Sequence, residues 1–213
     1  MIGLAGRQRA IALECIRVCA FALASAFVLV VASPVSARAQ RPAPVVTTPP
    51  HTPADVKFMQ GMIQHHAQAV TMAALVPTHS SRRDLALLAQ RIDVSQVDEI
   101  EWMRNWLRDR GEPVSEADAH EMHAGHDGGA MMPGMLSAEE MRALGSASGA
   151  AFERLFLTGM IKHHEGAIVM VAQLFATPGA GQESMIFGFA SDVDADQRAE
   201  IARMRRLLAG LRP

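Results

Sequence analysis

The chain has 213 residues, with 20 Lys and Arg against 22 Asp and Glu and a formal net charge of −2. That length fits one domain with appendages. The absence of a basic patch argues against nucleic acid as a partner, and two cysteines close together near the N-terminus exclude a disulfide scaffold.

Residues 1–39 read as an export signal peptide. Arg7, Arg9 and Arg17 make a positive start, Cys19 to Val31 is apolar throughout, and Ala37-Arg38-Ala39 supplies a small-residue cleavage site before Gln40. The apolar run of about 13 residues is shorter than the ~20 a membrane-spanning helix needs, so a cleaved signal fits better than a retained anchor. Cleavage removes Cys15 and Cys19 and leaves 16 Lys and Arg against 21 Asp and Glu, a formal net charge of −5. The mature protein is then expected to be secreted, in the periplasm, with no membrane contact. Having no thiolate, it must bind any metal through His, Met and carboxylates. Residues 40–53 read as a Pro-rich tether.

A duplicated helical unit is expected over 54–210: repeat one at 54–110, a Met/His-rich linker at 111–136 and repeat two at 137–210. The first helix starts at Thr52-Pro53 with Asp55 completing a capping box, and Pro77 is its expected stop. The steps Phe58, Met62, His65, Ala69, Met72 and Val76 keep one face apolar. A second helix is expected from Ser81, with Asp84 at the box position, to Arg110. A short helix follows at Ser137 to Leu144, boxed by Glu140. The last two run from Gly149 to before Thr177 and from Gln182 to Ala209, with Gly210 as the stop. No alternating run is long enough for a strand. Two hairpins, each with one apolar face, bury it best against one another, as an all-α, antiparallel four-helix bundle.

The repeat is explicit. Phe58, Gly61, Met62, Ile63, His65, His66, Ala69 and Met72 recur 98 residues later as Phe156, Gly159, Met160, Ile161, His163, His164, Ala167 and Met170. Asp93, Gln96, Glu99, Ile100 and Met103 recur 101 residues later as Asp194, Gln197, Glu200, Ile201 and Met204. Both His-His pairs are thus expected at one level of the core. Buried imidazoles need partners. Asp93, Gln96 and Glu99, with Asp194, Gln197 and Glu200, are candidates to accept the second ring N–H of a metal-bound histidine, or to ligate directly. A polar core of His, Gln and Glu with no metal accounts for the same residues.

The linker adds His120, Met122, His123, His126, Asp127, Met131, Met132 and Met135. With Gly and Pro and no helical period, it reads as a flexible connection that captures metal, and removing 118–135 is expected to leave the fold standing. Thioethers favour Cu(I) and imidazoles Cu(II), Zn and Ni, so copper is the expected ion, with other transition metals possible.

Met132 to Val171 and Met59 to Ala73, with the Gln-x-x-Glu-Ile-x-x-Met element in each second helix, resemble the exported bacterial family known as domain of unknown function 305. The resemblance covers most of 54–209. It implies a ferritin-like bundle and copper binding, in homeostasis or resistance, through Met and His. That role carries onto Met62, His65, His66, Met72, Met160, His163, His164 and Met170. The alternatives are a ferritin-like metal-dependent redox enzyme and a metal-free interaction bundle. The di-iron pattern Glu-x-x-His is absent from the four long helices, and no nucleophile elbow, zinc-protease pair, P-loop or dinucleotide turn occurs, so no catalysis is expected. Protein partners are not legible.

The signal reading predicts a mature N-terminus at Gln40. Intact-mass measurement of exported protein tests it; a mass that still includes Cys15 and Cys19 would mean an anchor.

Overall fold

The computed structural model describes residues 50–114 and 131–211. The signal peptide, most of the tether, and His120, Met122, His123, His126 and Asp127 lie outside them. Among the described residues there are five helices and no strand: α1 Pro53–His79, α2 Arg83–Asp109, α3 Ala138–Ser146, α4 Gly149–Ala176 and α5 Ser184–Ala209. None is long and apolar enough to cross a membrane. α1 packs on α2, α4 on α5, and the two hairpins join mainly through α1 and α4, with α3 against both. The architecture is the expected four-helix bundle.

The core has two apolar clusters. One gathers Met72, Val76, Leu85, Ile92, Phe152, Phe156, Met160, Ile201 and Met204. The other gathers Met59, Met62, Ile63, Met103, Trp106, Met170, Val171, Ile186 and Val193. Along each long helix the clusters are separated by polar residues: His65 and His66 on α1, Gln96 and Glu99 on α2, His163 and His164 on α4, Gln197 and Glu200 on α5. A polar layer therefore crosses the bundle at mid-height.

The helix ends hold the hairpins together. The Thr52 box forms as expected, Asp55 Oδ2 accepting from the Thr52 N–H at 2.7 Å. The fully buried Asp55 also reaches the other hairpin, where its Oδ1 accepts from the Gly181 N–H at 2.7 Å. At the equivalent place on α4, Glu153 accepts from Ser80 Oγ at 2.7 Å and pairs with Arg82 at 3.4 Å. Each hairpin thus clasps the loop of the other.

That clasp corrects the start of α2. The expected Ser81 cap does not form. Arg82 is the cap residue without a side-chain bond, because the Asp84 carboxylate is taken by the Arg82 guanidinium at 2.6 and 2.8 Å and by the Leu85 N–H. Pro77 does not stop α1 either. It forfeits one N–H in the last turn, but the Ser80 N–H still bonds Val76 O at 3.0 Å, so the helix runs to His79. The tether's end is anchored as well, with His51 Nε2 3.0 Å from Glu112 Oε1.

The linker also needs correction at its C-terminal end. Residues 132–136 form a strap across the α1–α4 seam. Gln68 Nε2 donates to Leu136 O at 2.9 Å and Gln68 Oε1 accepts from the Leu136 N–H at 2.8 Å. On α4, Gly166 lies under Pro133 and Gly134. A Cβ there would stand 2.0 Å from Pro133 O and 2.6 Å from Gly134 Cα. Removing 118–135 would strip the packing of Pro133 and Gly134 on Gly166 and the Pro133 contact with His65, so residues 132–135 are not the free connection expected of them.

The strap predicts opposite signs for two helical glycines. Gly166→Ala must displace backbone and should destabilise by about 1–3 kcal/mol. Gly188→Ala, where a Cβ meets nothing within 4 Å, should stabilise by about 0.5–1 kcal/mol. Thermal melts of the two variants measure this. Equal effects would remove the strap's structural role.

Candidate metal centre

The mid-height layer is built by local two-fold logic. Gly61 on α1 and Gly159 on α4 let the two helices approach. The methyl of Met170 lies 3.4 Å from a Cβ built on Gly61, and that of Met72 lies 3.3 Å from one built on Gly159. The rings of His65 and His66 are 6.4 Å apart with 56° between planes, and those of His163 and His164 are 6.2 Å apart at the same angle. The two pairs meet at the axis, where the His65 and His163 rings are 3.8 Å apart. All four histidines are fully buried.

Glu99 Oε2 is 2.5 Å from His66 Nε2, and Glu200 Oε2 is 2.7 Å from His164 Nε2. Pro133 O is 3.0 Å from His65 Nε2. A carboxylate or a carbonyl only accepts, so Nε2 carries a proton in all three rings. Among the described residues, the Nδ1 atoms of these three rings are buried without a protein partner, as are both nitrogens of His163, both amide atoms of Gln96, and Oε1 of Gln197. An imidazole whose N–H is held by a carboxylate or carbonyl and whose other nitrogen is free is the arrangement in which histidine ligates metal. The donor set fits copper, for which imidazole and thioether are suitable ligands. Among the described residues, no three His, Cys, Asp or Glu side chains stand ready as a cage. The layer supplies a stacked central histidine pair and two flanking His–Glu pairs instead.

The other sequence candidates divide. Met62, Met72 and Met160 are fully buried and Met170 nearly so, Met62 and Met170 in one apolar cluster and Met72 and Met160 in the other. Asp93 and Asp194 are not brought to the layer: Asp93 faces a surface hollow beside Ala73 and Pro77, and Asp194 pairs with Arg198 at 2.8 Å. Met132 joins Met170 above Gly61, its Sδ 3.5 Å from the built Cβ. Met135 is half-buried in the strap, and Met131 is exposed. Sequence reasoning missed the Pro133 carbonyl and Gln68. The one available signal was the break in the repeat at Gln68 and Gly166, 98 residues apart and unlike.

Burial, then the neighbouring His66, lowers the His65 pKa to about 3, although the Pro133 bond opposes this. Burial, then His65, holds His163 well below its ordinary value. Both rings are therefore neutral, the form that ligates. Their folded pKa values lie below the unfolded value, that of His65 at about 3, so as pH falls through about 6.5 the unfolded chain takes up protons that the folded chain refuses. The metal-free protein should have this stability in full above about pH 6.5. It should lose it as pH falls, by about 1.4 kcal/mol per unit for each ring. Urea titrations from pH 7.5 to 4.5 should show a shallower slope for His163→Ala. An unchanged slope would refute the assignment.

Comparison with known proteins fits this geometry. The family model for Domain of unknown function (DUF305) matches residues 55–208. A DUF305 fragment from Deinococcus radiodurans is 34% identical with a TM-score of 0.61, over 76% of this chain and 99% of its own. A DUF305 protein from Streptomyces coelicolor, assigned as secreted, is 30% identical with a TM-score of 0.61, over 73% and 91%. CopM, solved in its Cu(II)-bound form, is 28% identical with a TM-score of 0.57, over 73% and 95%. No curated protein sequence matches significantly. With nearly all of its bundle matched by the family model, the chain belongs to the DUF305 family.

Proposed function

We propose that the chain is an exported copper-binding protein that sequesters the ion, with the histidine layer as its principal site and the Met/His linker as an outer capture segment. The observation that carries this reading is the set of buried imidazole nitrogens without protein partners, three of them on rings whose other nitrogen is held by Glu99, Glu200 or Pro133. Support also comes from CopM, solved with Cu(II) and, at 26% identity, with Cu(I). The assigned-secreted Streptomyces relative supports export.

In this reading His65 and His163 bind the ion on the axis, and His66 and His164 approach from the sides. Glu99 and Glu200 orient those side rings through their Nε2 atoms. The buried thioethers of Met62, Met72, Met160 and Met170 give soft donors on either side, suited to Cu(I). Copper binding contributes to fold stability, because the unfolded chain lacks the assembled site. No catalytic step is assigned, and the protein acts by holding the ion.

Chelator competition for Cu(I) tests this. His65→Ala and His163→Ala should each lower affinity at least about tenfold, and the double variant should lose less than the sum, because the residues share one site. Unchanged affinity in the double variant, with a destabilised apo fold, would make the layer structural and leave the linker as the binding segment.

A further inference from the structure

The histidine layer has four helix seams around it, and they are closed unequally. The α1–α2 and α4–α5 seams are packed hairpin contacts. The α1–α4 seam is covered by the strap, with Pro133 O on His65 and Leu136 on Gln68. The remaining seam, between α2 and α5, carries two cavities of about 370 and 460 Å³ that share Glu99 and Asp196. Glu99 and Glu200 bridge this seam and the core. Each lends an oxygen to a buried histidine, yet their side chains remain 21% and 20% exposed.

The seam is electrostatically graded. Arg91, Arg203 and Arg206 stand at one end, and Asp98 and Asp192 at the other, with Glu99, Asp196 and Glu200 between. Burial, then the neighbouring Glu99, Glu200 and Asp192, push the Asp196 carboxyl above its ordinary pKa. Among the described residues no ion pair is made to it. Gln197 lines the same cavity, is 3% exposed, and has an Oε1 without a partner among the described residues. At the position equivalent to Asp196, repeat one has Ser95, which faces the same cavity, so the acidic residue is an addition of repeat two.

We propose that this acidic seam is the port by which a metal cation reaches the histidine layer: Asp192 and Asp196 collect the ion, and Glu99 and Glu200 pass it inward. The proposal rests on the reading of the layer as a metal site. The acidic end of the seam, set between low-dielectric walls, concentrates cations and raises their association rate, while the arginine end turns them toward it. The transfer is an exchange of ligands, water and carboxylate oxygen for imidazole nitrogen, with no change of oxidation state.

Stopped-flow mixing of the full chain with aqueous Cu(II) tests it, read by tryptophan quenching, since Trp102 forms part of the cavity wall. The core phase is the one lost in the His65→Ala/His163→Ala variant. In Asp192→Asn/Asp196→Asn, and in Asp196→Ser, which restores the residue of repeat one, that phase should slow about tenfold at low salt. Its dependence on ionic strength should flatten, while equilibrium affinity stays within about twofold. Circular dichroism melts no lower than wild type establish folding. A core phase of unchanged rate in both variants overturns the port and leaves the site intact. If no phase is lost in the double histidine variant, the site reading itself fails.

Discussion

A polar layer in the middle of an apolar bundle is the constraint around which this structure is arranged. Four buried imidazoles and two buried amides interrupt the core between its apolar clusters. Each buried polar atom left without a partner costs about 1–3 kcal/mol, and a whole domain is stable by only about 5–15 kcal/mol. A handful of such atoms therefore rivals the net stability, and the fold can carry them only if something compensates. Glu99, Glu200 and the Pro133 carbonyl satisfy one nitrogen on each of three rings, and the other nitrogen of each is buried without a partner among the described residues. The layer is thus incompletely satisfied by the described residues in a patterned way, on the Nδ1 atom of each held ring.

The remaining architecture keeps the layer in register. The reciprocal clasp of Asp55 on Gly181 and Glu153 on Ser80 ties each hairpin to the loop of the other. The methionine methyls beside Gly61 and Gly159 repeat one contact on both sides of the axis. Symmetry is broken at Gln68 and Gly166, where one residue bonds the strap and the other makes room for it. It is broken again at Ser95 and Asp196 in the α2–α5 seam.

Much of this was legible because repetition and periodicity are carried by side-chain type. The Met-Ile-x-His-His copies, the capping boxes at Thr52 and Ser137, and the Glu99 and Glu200 partners could all be read from residue identity and spacing. Asp93 and Asp194 misled because a step of three residues turns a helix by about 300°, so Asp93 lies about 120° around α2 from Glu99. Only the later members of each run face the layer. The strap was illegible for a different reason. Its key contact is a backbone carbonyl, which every residue has, and the seat for it at Gly166 is an absence of side chain. Pro77 and Asp84 show local signals overruled by tertiary structure, one by a helix that keeps its later bonds and the other by an arginine that takes the capping carboxylate.

The clasp has a consequence for assembly by mass action. Asp55 Oδ1 has its partner, the Gly181 N–H, in the opposite hairpin, so a hairpin on its own lacks that bond and gains it only by meeting a second hairpin. Between separate chains that encounter would depend on concentration, and the polar layer would form only in proportion to the dimer. Joined in one chain, the encounter is intramolecular and holds at any dilution. Fusion also lifts the rule that both halves of a symmetric pair must carry the same residue. Gln68 can then differ from Gly166 and Ser95 from Asp196, and a two-fold scaffold acquires a front and a back.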